Sequence, residues 1–357
     1  MKHMRRPSLL YILHSGNLFG TERMAIATLL GLGQEFDILL LMPPGPAAAH
    51  ARRAGLQVAS FVHIVTLARQ LFGRFAPGRR VMLMTTGVRQ SLLAILLAAL
   101  TGTRLRHLHI VHGGASEYLS YGRKRLLLPF RVSFVAVSGF VRQRLLAHGV
   151  PGTRITMIEN FLAPQVNIAV RSKPFDALTR LAVVSRLDPI KHVGLLLDAL
   201  EQTPALRDMT TDVFGTGWQM SALRERAHEA SLAVRFAGFC NTVPQQLAHA
   251  DLLVHTCPEE PFGLAILEAM RAGVPVLVPD TGGPADFIRD GENGFMYRAD
   301  DAADLARQLL AIRALAPARL QCIVDNASDT LRQRFAPAAR IDDYRQLLAG
   351  KRHEAHA

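Results

Sequence analysis

The chain has 357 residues, of which 49% are hydrophobic and 6% aromatic, enough apolar material for two ordinary domains and too much for a disordered chain. Its formal net charge of +12 is uneven: residues 1–165 hold 20 Lys and Arg against 5 Asp and Glu, whereas residues 166–357 hold 21 against 24. The first half is therefore a cationic body suited to an anionic partner such as phospholipid or nucleic acid.

In chain order, residues 8–15 (SLLYILHS) read as a buried strand, 21–33 as a helix and 36–43 as the next strand. Further strands are expected at 80–86, 106–113 and 134–139, with a helix at 141–149 that Gly149 stops. This alternation is that of a parallel, doubly wound sheet. After residues 163–176 the rhythm restarts. Strands are expected at 180–187, 209–214, 233–238, 251–257 and 274–280, and helices at 192–202, 221–232, 244–250, 264–272 and 302–315. A last helix, roughly 336–350, follows Pro337 and is expected to pack across the joint between the two halves. The domains are thus drawn as 1–165, 166–335 and a terminal helix in 336–357.

Cys240, Cys257 and Cys322 form neither a disulfide framework nor a Cys-x-x-Cys metal pair, which suits a reducing compartment. The apolar runs Leu9–Leu13 and Leu92–Leu100 fall well short of the about 20 residues a membrane span requires. No secretory leader and no spanning segment are expected. The expected location is cytoplasmic.

Ligands of open parallel sheets bind at the carboxyl ends of strands, and the unusual residues of this chain lie there. EEPFGLAILEAM (259–270) sets Glu260 before a Pro-Phe-Gly turn and Glu268 inside the following helix. The amides of Phe262, Gly263 and Leu264 lie at a helix start that attracts anions, and Gly263 admits close approach. A carboxylate one turn inside, as at Glu268, suits a diol such as a ribose. Taken singly, each glutamate reads as an ordinary helix charge. Flanking one Phe-Gly turn, the two read as a site. SRLDPIKH (185–192) places Arg186 and Lys191 just after a strand, a fork and a point charge suited to a diphosphate. GNLFGTER (16–23) is a glycine loop entering a helix, with Thr21 as its expected cap. Its amides, around Gly20 and Thr21, could hold a phosphate or sugar hydroxyl. It lacks the Gly-Lys-Ser/Thr ending of a P-loop. In HLHIVHGG (107–114), His107 and His109 share a strand face and read as core, whereas His112 stands at the strand end where active-site residues belong. DVFGTGWQM (212–220) has Gly215 and Gly217 of a dinucleotide fingerprint, but Met220 stands in place of the third glycine.

Glu260 to Glu268 resembles the E-x7-E signature of retaining GT-B glycosyltransferases of family 4, the glycosyl transferases group 1. The resemblance extends over nearly the whole chain. The loop and helix 14–32, His112-Gly113, the segment 137–161 with Asn160, VSRLDPIKH (184–192) and TGGPADFIRDGENGFMY (281–297) are each similar to family segments. It implies two Rossmann-like α/β domains facing across a cleft. A nucleotide-sugar donor would be held mainly by the second. Arg186 and Lys191 would neutralise the leaving diphosphate. Phe262, Gly263 and Leu264 would bind phosphates and sugar, Glu268 the ribose and Glu260 the transferred sugar. His112 would act at the reaction centre. With Gly20, Thr21 and Gly215 these are the candidate site residues. Departures are Asp286 for a frequent Glu, His192 for a frequent Gly and Cys257 for a common Ser. The resemblance implies front-face chemistry with no metal and no cofactor, since fixed cations and amides stabilise charge on the phosphate oxygens.

The acceptor would be a saccharide or lipid-linked saccharide in cell-surface or exopolysaccharide synthesis, bound by the basic first half. RQLFGRFAPGRR (69–80) and YGRKRLLLPFR (121–131) mix arginine with Leu and Phe. Such patches suit the anionic inner face of a membrane. Two other readings use the same residues: a GT-B nucleotide-sugar epimerase, and a non-catalytic basic binding protein. Nucleic acid is not expected, because aromatics do not interleave with the basic runs. The missing third glycine disfavours an NAD-dependent oxidoreductase.

Overall fold

A computed structural model describes residues 6–113, 120–163, 169–175, 178–240 and 242–350. The chain forms two compact units, residues 1–163 with 337–357, and residues 164–336.

The first unit holds seven strands: β1 (Ser8–Ile12), β2 (Asp37–Met42), β3 (Val58–Ser60), β4 (Arg80–Thr85), β5 (Arg104–Val111), β6 (Val132–Ala136) and β7 (Ile155–Met157). Their order is β3-β2-β1-β4-β5-β6-β7, with every pairing parallel. The chain winds outward from β1 in one direction and then returns to build from β4 in the other. That reversal sets the switch point between the carboxyl ends of β1 and β4, where an open α/β sheet leaves a crevice. Strand β1 is almost wholly apolar because helices cover both faces of a parallel sheet. Leu10, Ile12, Leu41, Leu83, Leu67, Leu71, Ala94 and Ala98 form one buried cluster.

The second unit repeats the plan with six strands: β8 (Arg180–Val184), β9 (Thr210–Phe214), β10 (Val234–Gly238), β11 (Leu252–Val254), β12 (Val276–Pro279) and β13 (Phe295–Tyr297). The order is β10-β9-β8-β11-β12-β13, again parallel throughout. Its switch point lies between β8 and β11. Leu181, Val183, Leu196, Val213, Val254, Leu277 and Leu309 anchor its core.

The segments marked from the sequence as strands or helices fold as such among the described residues, with ends shifted by a few residues. Unforeseen were the helices Pro46–Arg53, Ile64–Phe72, Val88–Thr101 and Pro317–Arg334 and the short strands β3, β7 and β13. The apolar run 92–100 lies within a helix, Val88–Thr101, which buries Ser91, Ala94 and Ala98 and leaves Leu96 and Leu100 exposed. No helix among the described residues is long and apolar enough to cross a membrane. The last helix, Pro337–Ala349, belongs to the first unit. Ile341 buries against it there, reaching the position where a Cβ on Gly31 would stand, and Arg345 bonds Glu35 at 3.0 Å. Arg106 donates to the Leu347 carbonyl at 3.0 Å.

Candidate functional site

In the second unit the residues singled out from the sequence converge at the β8–β11 switch point. β8 ends at Val184 and leads into a loop carrying Arg186, which pairs with Asp188, and then into a single 3-10 turn, Pro189–Lys191. β11 ends at Val254 and leads into His255, Thr256, Cys257 and Glu260. The two loops are stitched together. Thr256 Oγ1 donates to the Lys191 carbonyl at 2.7 Å, and Cys257 Sγ donates to the Ile190 carbonyl at 3.1 Å. These bonds set the direction of the Lys191 side chain, whose Nζ donates to Glu260 Oε2 at 2.6 Å and to Cys257 Sγ at 3.7 Å. His255 Nε2 lies 3.5 Å from the same carboxylate oxygen.

Electrostatics follow from this geometry. Burial disfavours the charge on Glu260, but Lys191 and His255 outweigh it and hold the carboxyl well below the usual range. Burial likewise opposes the charge on Lys191, and the Glu260 carboxylate reverses that effect, so the ammonium is held more firmly than in water. Arg186 acts the other way as a nearby like charge. Burial pushes the Cys257 thiol up to about 11, so it remains protonated at neutral pH and is a poor nucleophile.

His255, Cys257 and Glu260 have ligand atoms within 4.8 Å of one another, a spacing that a metal could use. The donor set argues against it. Lys191 already neutralises Glu260 from within the cluster, and the Cys257 proton is engaged with a carbonyl.

The glycines hold this frame at close range. Gly215 has φ +138°, and a Cβ there would stand 1.8 Å from the Ser185 carbonyl oxygen. A Cβ on Gly217 would meet the Leu187 carbonyl at 2.4 Å. The Gly-x-Gly pair after β9 thus clasps the 185–187 loop, with Leu187 N–H donating to Thr216 at 3.0 Å. Met220, at the place of the absent third glycine, opens the next helix, Met220–Glu229. Gly283 donates its N–H to the Glu260 carbonyl at 2.7 Å, and a Cβ there would lie 2.2 Å from the Pro261 carbonyl oxygen.

Gly263, at φ +91°, is the N-cap of the helix Leu264–Arg271. Its first amides have no intrahelical partner, as at every helix start. Phe262 points its ring inward onto Phe287 and Phe335, at centroid distances of 5.7 Å each, so only its backbone is available to a ligand. Glu268 is buried within the helix. His192 adopts φ +48°, a left-handed conformation natural to glycine, and bonds Asp300 Oδ1 at 2.7 Å. The frequent glycine of the resembling family thus falls where the backbone calls for one.

In the first unit, His112 directly follows β5, and Gly113 after it has φ +81°. Burial lowers the His112 pKa to about 3, and its Nε2 is shielded without a partner. His107 and His109 are buried, as expected for core residues. Unforeseen is their network: Thr85 Oγ1 lies 2.9 Å from His107 Nε2, 3.0 Å from His109 Nδ1 and 2.7 Å from Ser91 Oγ. The glycine loop differs from expectation at its cap. The helix starts at Gly20, one residue before Thr21, and Phe19 is the N-cap. Glu22 reaches back to accept the Phe19 N–H at 3.2 Å, so the carboxylate does the capping. Lys124 and His255 were not singled out from the sequence. Only their burial beside other polar groups marks them, and spacing does not reveal that.

Residues 179–314 match the family model "Glycosyl transferases group 1". Among curated proteins, the chain is 32% identical over 202 residues to "Lipopolysaccharide core biosynthesis glycosyltransferase LpsE" of Rhizobium meliloti (strain 1021), covering 55% of this chain and 58% of that protein. It is 30% identical over 216 residues to a D-inositol 3-phosphate glycosyltransferase of Streptomyces bingchenggensis (strain BCW-1), covering 55% of this chain and 47% of that one. The chain thus spans about half the length of these relatives. Among solved structures, that of Anabaena Alr3699/HepE in complex with UDP and glucose superposes with a TM-score of 0.84 at 21% identity, over 97% of this chain and 100% of the other. The fold is therefore GT-B, and the residues that match the glycosyl transferases group 1 model, 179–314, contain the whole Lys191–Glu260–Glu268 constellation.

Proposed function

We propose that the protein is a retaining glycosyltransferase of family 4 that moves a sugar from a nucleotide-sugar to a saccharide or lipid-linked acceptor in cell-surface polysaccharide synthesis. The observation that carries this reading is the buried Lys191–Glu260 pair at the β8–β11 switch point, beside the helix that opens at Gly263. A cation held in place by fixed loops can stabilise charge on a departing diphosphate without reorganising. The first-turn amides of the helix add donors for the same group. Glu260 then has a second task, accepting hydroxyl groups of the transferred sugar, and Glu268 accepts those of the ribose. The leaving phosphate takes the acceptor proton, so this chain need not supply a base. His112, kept neutral by burial, serves as a hydrogen-bonding group rather than a cation. No metal and no cofactor enter this scheme. The matched LpsE protein supports a role in surface saccharide assembly, and the UDP complex of the superposed fold supports a nucleotide-sugar donor.

The first unit is the acceptor side in this reading, and its surface suits a membrane. On the helix Ile64–Phe72, Val65, Arg69 and Phe72 follow one another at helical spacing and all are exposed. Leu126 and Phe130 are exposed beside Arg125 and Arg131. Apolar side chains flanked by arginines bind anionic bilayers from the surface. Incubation with UDP-, GDP- and ADP-sugars and a panel of saccharide acceptors tests the function. Transfer with retained anomeric configuration is expected. Inverted product, or conversion of the donor sugar without acceptor, would refute it and favour another class.

A further inference from the structure

The first unit holds a cavity of about 870 Å³ whose lining includes Arg6, Ser8, Asp37, Gln57, Arg79 and Arg80. Ser8, Asp37 and Arg80 are the first residues of β1, β2 and β4, so the cavity lies at the amino edge of the first sheet. β4 is six residues long, which at the usual rise per residue puts the cavity about 16 Å from the carboxyl ends where the β1–β4 crevice lies. Three arginines and one carboxylate line it. Among the described residues Asp37 pairs with none of the three, and the side chains of Arg79 and Arg80 make no hydrogen bond and no ion pair. Arg6 is anchored: its Nη1 donates to the carbonyl of Gly33, the cap of the helix Gly20–Leu32, at 3.1 Å. That bond fixes the guanidinium and leaves further N–H groups of its fork to donate. Arg80 is also the registered neighbour of Arg104 on β5, and the Arg104 N–H donates to the Arg79 carbonyl at 2.8 Å. Like charges at registered positions repel each other, and an anion between such groups relieves that. Arg235 and Arg307 of the second unit, also exposed, bond Asp212 and Asp304. The first half has few acids to offer, 5 Asp and Glu against 20 Lys and Arg over residues 1–165.

We propose that this cavity is an accessory anion site, in which Arg6, Arg79 and Arg80 bind a phosphoryl group carried on a small hydroxylated body. A guanidinium fork matches phosphate oxygens two at a time and stays charged across the physiological pH range. A recess lined by one sign of charge concentrates counter-ions. The volume is more than a bare phosphate fills and falls within the range of small-ligand sites, about 300–1,000 Å³. Ser8 and Gln57 can both donate to and accept from hydroxyl groups of the ligand body, and Asp37 can accept from one. A soluble phosphate ester and the glycerophosphate headgroup of an anionic lipid share this chemistry. The separation from the strand carboxyl ends sets the site apart from the acceptor crevice, and it does not depend on the glycosyltransferase reading.

The test is calorimetric titration of the full chain with glycerol phosphate at pH 7, on wild type and in an Arg186→Ala/Lys191→Ala background. That background lacks the cations of the proposed donor site, so binding that persists in it belongs elsewhere. One equivalent is expected to bind wild type and background alike. Adding Arg79→Gln/Arg80→Gln to the background should weaken binding at least about tenfold, as loss of charged donors does. Adding Arg142→Gln/Arg224→Gln, two exposed arginines outside the cavity lining, removes the same charge and should leave binding unchanged. Absence of binding to wild type, binding that vanishes in the background, or equal weakening by the two arginine pairs overturns the proposal. The last of these would mean attraction by net charge alone. Repeating the titration with phosphatidylcholine vesicles, with and without phosphatidylglycerol, separates the sources. Binding suppressed only by the phosphatidylglycerol vesicles assigns the site to a lipid headgroup, whereas undiminished binding assigns it to a soluble ester. Melting curves run alongside confirm folding, and Arg6→Gln replaces the Arg79/Arg80 pair should that variant not fold.

Discussion

Lys191 Nζ lies 2.6 Å from Glu260 Oε2, and the two side chains are 15% and 16% exposed. The sequence places them sixty-nine positions apart on separate loops. The parallel order of β8 and β11 brings the loops side by side. Breaking a buried pair from one side leaves an uncompensated charge and costs about 3–5 kcal/mol, whereas replacing both partners together costs much less. Urea unfolding should therefore show Lys191→Met and Glu260→Gln each destabilised, with the double variant closer to wild type than Lys191→Met. Additive losses would mean that the pair is not coupled.

Glu268 and the phosphate-facing groups should separate by ligand. In the donor reading Glu268 accepts ribose hydroxyls, so Glu268→Gln should weaken UDP by at least about tenfold, as loss of a charged acceptor does, and leave pyrophosphate binding unchanged. Calorimetry with both ligands decides it. Equal weakening of both would remove Glu268 from the ribose.

The close-packed glycines give a structural prediction. Alanine at Gly215 would put a Cβ 1.8 Å from the Ser185 carbonyl, and alanine at Gly283 would put one 2.2 Å from the Pro261 carbonyl. Both contacts are with backbone, which moves only at the expense of the site loops. Each variant should lose about 2 kcal/mol or more and most UDP affinity. Gly55→Ala is the control: it has open space around a Cβ and strain only from φ +90°. It should leave UDP binding intact.

Acid sensitivity has a defined origin. Burial holds His107 and His112 near a pKa of about 3, below the ordinary value of 6.5. The unfolded chain takes up these protons first as pH falls. Stability present above about pH 6.5 is therefore lost between there and pH 3, at up to about 1.4 kcal/mol per pH unit for each histidine. Glu260 adds a loss below about pH 4.5, because its folded pKa is lowered. At alkaline pH Lys124 works in the opposite sense to a paired lysine. Its pKa falls from 10.5 to about 8, so stability rises as pH climbs through that window. Chemical denaturation across pH should show a shallower acid slope in His107→Gln and no alkaline gain in Lys124→Met.

Much of this was legible before the structure. The alternation of apolar runs with amphipathic stretches fixes two parallel sheets, because strands buried on both faces need continuous hydrophobic sequence. Strand ends then point to Arg186, Lys191, Glu260 and His112. What spacing leaves open is which of these touch. Lys191 and Glu260 were assigned separate ligands, and their direct bond depends on loop stitching by Thr256 and Cys257 that no periodicity encodes. The short strand β3, three residues long, carries too little pattern to read. The helix Pro317–Arg334 was missed for another reason: it is mostly polar and buries only Leu320, Ile323, Val324 and Ala327. Lys124 looked like one of several charges in a basic run, and burial alone sets it apart.

Membrane attachment is checked by vesicle sedimentation. Wild type should pellet with anionic vesicles at low salt and release as salt rises, since surface electrostatics are screened. Val65→Glu/Phe72→Glu, two exposed positions on one helix face, should stay in the supernatant while keeping UDP affinity. Equal sedimentation of wild type and variant would remove this face from membrane binding.

In the proposed function the β8–β11 switch point holds a nucleoside diphosphate. Thermal-shift titration with UDP, GDP and ADP on wild type and on Arg186→Ala/Lys191→Ala addresses it most directly, because a ligand that binds only the folded state raises the melting temperature by mass action. A concentration-dependent rise with one of the three is expected on wild type and none on the double variant. A rise that survives in the double variant, or no rise with any of the three on wild type, would contradict it.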